Sequence, residues 1–312
     1  MLLRPDTSHP KPTAISTNAA ALRRPAPTTA AFSARLYGLG FSPYMEGQYP
    51  DLGSEIREQQ LRARMALSAP YTQWVRTYGM THGLAAAGRV AHELGLKVAL
   101  QAWLGPDVPG NQNDLQTAIL IAAAKAKEAD LLIVGSEVLF RADLSPDQLI
   151  AYIRQVKQAV PDLAVTTADT LAALEQHPTV VAEIDEVLVD IYPFWDGVAL
   201  DEAVPWLSQQ YQRAQTLAGN KPVMIGETGW PSCGEANGNA DASPENAARY
   251  FGDFVVWART NNVPYFYFEA FDEDWKAQHE GERGACWGIL DRDGRLKPGM
   301  QDGFRWRRQT RA

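Results

Sequence analysis

The chain has 312 residues, 46% of them hydrophobic, and carries a formal net charge of −8. That length allows one large buried core, and the negative charge argues against nucleic acid or an anionic membrane surface as a partner. No membrane span is predicted, because no stretch reaches the roughly 18 consecutive apolar residues that a span requires.

The two ends of the chain differ from its middle. Residues 1–33 are rich in Pro, Thr and Ala and contain no apolar segment typical of a standard signal peptide, so a disordered leader is predicted. Residues 34–304 are predicted to form a single catalytic domain. Residues 305–312 contain a cluster of arginines and are predicted to be a solvated basic tail.

Eight short apolar segments between residues 34 and 304 predict buried strands, and segments with helix signals lie between them. Eight alternations of strand and helix predict an α/β fold, a single closed (β/α)8 TIM barrel, rather than an open doubly wound sheet. The predicted strands are Arg35–Phe41, Trp74–Tyr78, Lys97–Trp103, Leu131–Glu137, Ala164–Ala168, Val187–Tyr192, Pro222–Glu227 and Pro264–Phe268. The predicted helices cover residues 54–67, 84–94, 112–128, 145–160, 170–176, 203–217 and 247–260.

Two glutamates follow the last apolar residues of the fourth and seventh predicted strands, Glu137 and Glu227. In such a barrel the carboxyl ends of the strands carry the chemistry, and strands four and seven face each other across the mouth. Two carboxyl groups about 5–5.5 Å apart are what a retaining glycosidase uses. Glu227 is therefore predicted to stay ionised as the nucleophile, and Glu137 to stay protonated as the acid and later act as the base. The alternative is that both are ordinary solvated loop residues.

Four sequence strings carry a family likeness. They are Ile225-Gly226-Glu227-Thr228-Gly229-Trp230-Pro231-Ser232, Val134-Gly135-Ser136-Glu137, Phe268-Glu269-Ala270-Phe271-Asp272-Glu273-Asp274-Trp275-Lys276 and Tyr37-Gly38-Leu39-Gly40-Phe41-Ser42-Pro43-Tyr44. They resemble the nucleophile, acid/base, eighth-strand and first-strand segments of glycoside hydrolase family 17, the β-1,3-glucanase and β-1,3-glucanosyltransferase family. The resemblance extends roughly from Tyr37 to Lys297 and is closer to bacterial and fungal members than to plant ones.

The resemblance implies a retaining enzyme that needs no cofactor and binds a β-1,3-glucan oligo- or polysaccharide. It would hydrolyse or transfer glucosyl units through a covalent glucosyl-enzyme, and the compact length slightly favours transfer. One departure stands out, because the family usually has asparagine where this chain has Ser136. By resemblance that asparagine holds the sugar 2-hydroxyl, and serine is shorter but can still donate and accept a hydrogen bond. Two alternatives stay open: a glucan-binding barrel without catalysis, and a same-fold enzyme acting on a different β-glycan.

Residues at or just past the strand ends are expected to line the mouth and to bind the sugar. Aromatic rings suit the flat C–H faces of sugars, because they combine apolar area with a polar handle. Arg76 is expected either to hold Glu227 ionised or to form a structural ion pair inside the barrel. Glu269 and Glu273 are expected to bind glucose hydroxyls, as in the family, although Asp272 or Glu273 could instead pair with Lys276. The predicted substrate-binding residues are Tyr44, Arg76, Tyr78, Ser136, Asp169, Tyr192, Phe194, Trp195, Trp230, Glu269, Phe271, Glu273 and Lys276.

The two cysteines, Cys233 and Cys286, fall on the loops after the seventh and eighth predicted strands, which are neighbours in a barrel. In an oxidising compartment a disulfide is one expectation, and two independent thiols are the other. The five histidines lack metal-ligand spacing, so no metal site is predicted. The localisation stays unknown: the substrate class favours the periplasm or the exterior, whereas no signal peptide is recognisable.

Overall fold

The computed structural model of the protein describes residues 34–106 and 112–305. The predicted leader, and the predicted tail beyond Arg305, lie outside these described residues. Eight parallel strands close into a barrel in chain order, and β8 pairs back onto β1. This confirms the predicted (β/α)8 TIM barrel. The strands are β1 (Leu36–Gly40), β2 (Thr72–Arg76), β3 (Lys97–Ala102), β4 (Leu131–Ser136), β5 (Val165–Thr170), β6 (Val187–Asp190), β7 (Val223–Thr228) and β8 (Tyr265–Tyr267).

Helices surround the barrel, and most of them lie where the sequence predicts them. They are α1 (Glu58–Ser68), α2 (Ala87–Glu93), α3 (Asn113–Lys125), α4 (Pro146–Ala159), α5 (Leu171–Gln176), α6 (Pro178–Glu183), α7 (Leu200–Ala218), α8 (Pro244–Asn261) and α9 (Ala277–Glu280). Among the described residues, none of these helices combines the length and the apolarity that crossing a membrane would need.

Two details differ from the predicted helices. α1 begins at Glu58 rather than after Ser54, because the Ser54 hydroxyl instead accepts a hydrogen bond from the Tyr49 N–H at 2.8 Å, within the loop after β1. The short helices α6 and α9 were not predicted. The start of α4 is as predicted, since Ser145 and Gln148 form a reciprocal capping box.

The core has two parts, which follow from the two faces of each strand. The larger part packs the outward-facing strand residues against the helices. A smaller cluster takes residues from six of the strands, among them Ile133 of β4, Leu188 of β6 and Phe266 of β8. A barrel of this type is a packed core rather than a pore, so the space for a ligand lies at the mouth, above the carboxyl ends of the strands.

A disulfide ties together the loops that follow β7 and β8. Cys233 and Cys286 are bonded, with their Cα atoms 5.7 Å apart, so the structure has the disulfide rather than two thiols. The Lys297 ammonium lies beside it and donates hydrogen bonds to Asp272 at 2.6 Å and to the Cys286 carbonyl at 3.2 Å. Asp272 therefore pairs with Lys297 and not with Lys276.

Candidate active site

Glu137 leaves β4 through an irregular stretch of backbone. The pairing of β4 with β5 shifts register between Ile133 and Ser136, and both Gly135 and Glu137 adopt positive φ angles, of 80° and 52°. A Cβ at Gly135 would lie 2.6 Å from a methyl group of Val138, so only glycine fits this turn. Irregularities of this kind re-aim side chains beside active sites, and here Glu137 lines the cavity at the mouth.

Asp169 fixes the turn that carries Glu137. Its carboxylate accepts hydrogen bonds from the Leu139 N–H at 2.9 Å and from the Thr170 N–H at 2.8 Å, and it is wholly buried. Burial raises the pKa of Asp169 to about 6, although these backbone donors act in the opposite direction. In this structure the oxygens of Asp169 face the backbone that positions Glu137, and the predicted contact of Asp169 with substrate stays a prediction.

Glu227 lies in β7 between a cation and a hydroxyl donor. Arg76 Nη1 is 3.2 Å from Glu227 Oε1, and the Tyr192 hydroxyl donates to Oε2 at 2.8 Å. The same Arg76 nitrogen donates to the Gly226 carbonyl at 2.7 Å, which holds the guanidinium beneath the carboxylate. Both contacts suit a glutamate that works as an anion.

A buried layer of charge supports Glu227 from inside the barrel. Arg76 is completely buried, and besides Glu227 it lies 3.5 Å from Asp190 and donates to Gln101 and to Ser136. Arg76 therefore contacts Glu227 and also lies inside the barrel beside Asp190, and its expected effect on the ionisation of Glu227 stays a prediction. Gly226 makes room for this layer, because a Cβ there would lie 2.4 Å from an Asp190 oxygen.

Asp190 belongs to this layer and was not selected from the sequence. Burial raises its pKa well above the ordinary range, and the negative charge of Glu227 adds to the effect while Arg76 opposes it. The available signal was a carboxylate inside the apolar run Val187–Tyr192. A charged side chain in such a run needs a partner inside the barrel, because burying an unpaired charge is strongly unfavourable.

The two glutamates lie in different electrostatic surroundings. Burial, and after it the negative charges of Glu227 and Asp169, raise the pKa of Glu137 to about 7, against smaller opposite effects of Arg141 and Arg76. A large fraction of Glu137 is therefore protonated near neutral pH. Glu227, by contrast, has the Arg76 cation and the Tyr192 hydroxyl donor at its oxygens. A retaining glycosidase needs two carboxyl groups in different environments.

Both glutamates line one cavity of about 1000 Å³ at the mouth of the barrel. Four predicted substrate-binding residues also line it, namely Tyr44, Tyr78, Ser136 and Lys276. Trp275, at the end of the segment after the eighth strand, lines it too, and so do residues not selected from the sequence, among them Ser42, Trp103, Arg141, Phe268 and Glu280. Trp103 and Phe268 each end a predicted strand, so the position that selected Tyr78 would also have selected them.

The carboxylates after β8 are bound up in an ion-pair cluster. The Lys276 ammonium donates to Glu269 and, at 2.7 Å, to Glu273, and the Ser42 hydroxyl donates to Glu273 at 2.5 Å. Glu269 and Glu273 are only 1% and 3% exposed. Lys276 lines the cavity and Glu269 and Glu273 do not, and the binding of glucose hydroxyls by these two carboxylates stays a prediction.

Three predicted sugar platforms are buried instead. Phe194, Trp230 and Phe271 are at most 1% exposed, so none presents a ring face to a ligand. Trp230 packs 5.3 Å from Phe194 between ring centroids and donates its indole N–H to the Asp241 carbonyl. The structure therefore places these three side chains in the packed interior, and their contact with a sugar stays a prediction.

Trp195 and Tyr192 follow β6 and keep part of their surface open. Trp195 is 40% exposed, its ring lies 5.5 Å from that of Trp287, and its carbonyl accepts a hydrogen bond from the Asn237 side chain at 2.7 Å. It lies outside the set of residues that line the main cavity. Tyr192 is half-buried and reaches the site through its hydroxyl bond to Glu227.

Comparison with known proteins identifies the family. The profile of the BtgE/BtgC glycoside hydrolase domain matches residues 38–288. A protein of Aspergillus fumigatus named probable glucan endo-1,3-beta-glucosidase btgC is 29% identical over 85% of this chain, which covers only 43% of that protein. The crystal structure of a glycoside hydrolase family 17 β-1,3-glucanosyltransferase from Rhizomucor miehei is 30% identical, with a TM-score of 0.75, over 85% of this chain and 96% of that one.

An active-site mutant of that Rhizomucor miehei enzyme, in complex with laminaritriose, is likewise 30% identical and covers the same shares of the two chains, with a TM-score of 0.74. The profile match spans well over half of the sequence and includes both glutamate-bearing strands. The chain therefore belongs to the BtgE/BtgC glycoside hydrolase domain family, within glycoside hydrolase family 17.

Proposed function

We propose that the protein is a retaining, β-1,3-glucan-active glycoside hydrolase or glucanosyltransferase that works by double displacement. Glu227 is the nucleophile and Glu137 the general acid and base. The observation that carries this proposal is the shared cavity, in which Glu137 has a pKa of about 7 and Glu227 contacts Arg76 and the Tyr192 hydroxyl. This chemistry requires two carboxyl groups in different environments, one that favours the protonated form and one that favours the anion.

The first step forms a glucosyl-enzyme. A Glu227 carboxylate oxygen attacks the anomeric carbon and forms a new C–O bond while the bond to the leaving sugar breaks. The electron pair of that bond goes to the leaving oxygen, which takes the proton of Glu137. A pKa of about 7 suits this transfer, because a large fraction of Glu137 is then protonated at neutral pH and the proton is still readily given up.

The second step reverses the role of Glu137. Once Glu227 is esterified it carries no negative charge, and this removes the second-largest cause of the raised pKa of Glu137. The ionised Glu137 then takes a proton from an incoming hydroxyl, whose oxygen attacks the anomeric carbon and releases Glu227. Water as the incoming group gives hydrolysis, and a sugar hydroxyl gives transfer.

The substrate class rests on the cavity together with the relatives. A volume of about 1000 Å³ is at the upper end of ordinary ligand pockets and suits an oligosaccharide better than a single sugar. Aromatic side chains form part of its wall, including Tyr44, Trp103 and Trp275. The Aspergillus fumigatus relative is named for 1,3-β-glucan, and the Rhizomucor miehei enzyme binds laminaritriose. We therefore propose β-1,3-glucan oligo- or polysaccharide as the substrate here.

Ser136 does not favour the alternative of a binding protein without catalysis. Its hydroxyl accepts a hydrogen bond from Arg76 Nη2 at 2.8 Å, so its own hydrogen is available for a second partner such as a sugar hydroxyl. The contacts of Glu137 and Glu227 described above do not depend on a longer side chain at this position. The expected effect of Ser136 is a change of rate or of subsite fit, with both carboxyl groups in place.

A covalent trap tests the proposal. The wild-type protein is incubated with a 2-deoxy-2-fluoro-glucosyl fluoride, and the digested product is analysed by mass spectrometry. We expect one label, on the peptide that contains Glu227, and none on Glu227→Gln. Binding of laminarin oligosaccharides without any label would instead support the non-catalytic barrel. Turnover assays on β-1,3-, β-1,4- and β-1,6-glucans then test the linkage, and turnover of only the latter two would overturn the substrate class.

A further inference from the structure

We propose that Trp103 and Arg141 form a sugar platform that binds a neutral glucosyl unit of the substrate away from the bond that is cleaved. This inference rests on the proposed function and extends it to the choice of oligosaccharide length. The observation behind it is a large, partly exposed aromatic ring inside the cavity that also holds Glu137 and Glu227.

The position of Trp103 favours contact with a ligand. It follows the last residue of β3, and the neighbouring Ala102 pairs with Val134 of β4, three residues before Glu137. Trp103 is 41% exposed, whereas Trp230 and Trp287 at the same end of the barrel are only 1% exposed. Contact of this much indole surface with water is unfavourable in free energy. A ligand whose apolar face covers the ring would remove that contact.

Arg141 supports one face of the ring. Its guanidinium carbon lies 4.6 Å from the centroid of the Trp103 ring, in a cation–π arrangement. Arg141 is itself held, because its Nε donates to Asp143 at 2.7 Å and its Nη2 to the Leu104 carbonyl at 3.4 Å. A ring fixed in this way loses little conformational freedom when a ligand covers its other face.

The platform is joined to the proposed acid/base residue. The backbone N–H of Arg141 donates to the carbonyl of Glu137 at 2.9 Å, so the guanidinium and Glu137 lie on one turn. A sugar on Trp103 would consequently have a defined position relative to Glu137. Since binding energy from remote subsites helps to orient the reacting bond, this contact would be felt by longer substrates and not by those too short to reach it.

The charges around the platform select a neutral sugar. Arg141 is already paired with Asp143, and the carboxyl groups of Glu137 and Glu227 line the same cavity. An anionic substituent on the sugar would have to compete with Asp143 for the guanidinium. An unmodified glucosyl residue needs only the apolar C–H face and the ring, which the geometry supplies.

The test compares Trp103→Ala, Trp103→Phe and wild type on laminaribiose through laminarihexaose. We expect Trp103→Ala to lower kcat/KM roughly tenfold on the longer oligosaccharides and little on the shortest substrate that is turned over. Trp103→Phe should retain most of the length dependence, because it keeps an aromatic face. Val256→Ala is the control, since Val256 is 52% exposed on the outer helix α8 and is not among the residues that line the cavity.

For Trp103→Ala, an equal loss of kcat/KM at every oligosaccharide length, or no loss at any length, would overturn the proposed platform. Trapping with the single-sugar fluoride separates this result from a failure of the proposed function. If the wild type and Trp103→Ala are labelled on Glu227 at similar rates, the chemistry stands and only the platform is under test. If the wild type is not labelled, the proposed function fails irrespective of Trp103. A far-ultraviolet circular dichroism spectrum checks the fold of each variant, and Trp103→Leu, which keeps apolar volume but no aromatic face, takes the place of Trp103→Ala if that variant does not fold.

Discussion

Replacing Arg76 by methionine should destabilise the protein strongly, and more at neutral than at acid pH. The guanidinium is wholly buried, 3.2 Å from Glu227 and 3.5 Å from Asp190. At an effective dielectric constant of about 20, each of these contacts has a gross Coulomb energy of about 5 kcal/mol. Much of that is offset by the cost of burying the charges, and breaking a buried pair by removing one partner typically costs about 3–5 kcal/mol. The total free energy of unfolding of a single domain is about 5–15 kcal/mol, so the expected loss is a large fraction of it.

The loss of stability in Arg76→Met should depend on pH in a defined direction. Without Arg76, the pKa of the buried Asp190 rises further above its ordinary value, because burial and Glu227 already raise it and the opposing cation is gone. A carboxyl group whose pKa is higher in the folded state than in the unfolded state costs more stability as the pH rises above the unfolded value. The penalty in Arg76→Met should therefore be larger at pH 7 than at pH 4.5.

Urea unfolding followed by circular dichroism at these two pH values measures the effect. Arg76→Lys is the matched control, because it keeps a positive charge and loses only the fork of donors. The variant with lysine should lie between wild type and Arg76→Met at pH 7. A loss under about 1 kcal/mol in Arg76→Met, or a loss that grows as the pH falls, would refute the account of the buried charge layer.

Three further predictions concern Glu137 and its neighbours. The kcat/KM for laminarin oligosaccharides should fall roughly tenfold per pH unit above about pH 7, because the first step needs protonated Glu137; a rate that stays flat to pH 9 would contradict this. Glu137→Gln should slow glucan turnover by about 100-fold or more but spare the glucosylation step with a glucosyl fluoride, whose leaving group needs no proton, and equal losses on both would count against its role as acid. Asp169→Asn should lower the pKa of Glu137 and move the alkaline limb of the kcat/KM profile to lower pH, since one of the charges that raise that pKa is removed; a limb that moves upward would exclude this effect.

The barrel and the positions of the two glutamates could be predicted because they depend on the order of elements. Apolar runs separated by helix signals give the strands, and the end of a strand in such a barrel lies at the mouth whatever the details of packing. Glu137 and Glu227 each follow such a run, and both line the same cavity. The pairing of Cys233 with Cys286 follows from the same topology, because the loops after β7 and β8 are neighbours.

The lining of the cavity could not be predicted in the same way, because it depends on which side each residue turns. Strand alternation would decide this, but the pairing of β4 with β5 and of β7 with β8 shifts register within the very strands that carry the glutamates. Trp103 and Trp230 both follow a strand, yet one is exposed in the cavity and the other is buried. Asp190 was overlooked because the sequence does not show that Arg76, on a strand far away in the chain, lies beneath it.

The stereochemistry of the first product tests the central claim most directly. Proton magnetic resonance of the anomeric region, recorded within the first minutes of laminarin oligosaccharide turnover, distinguishes the two anomers before they interconvert. Two successive displacements at the anomeric carbon predict that the newly released end appears first as the β anomer. Initial appearance of the α anomer would mean a single displacement, and Glu227 could then not be the nucleophile.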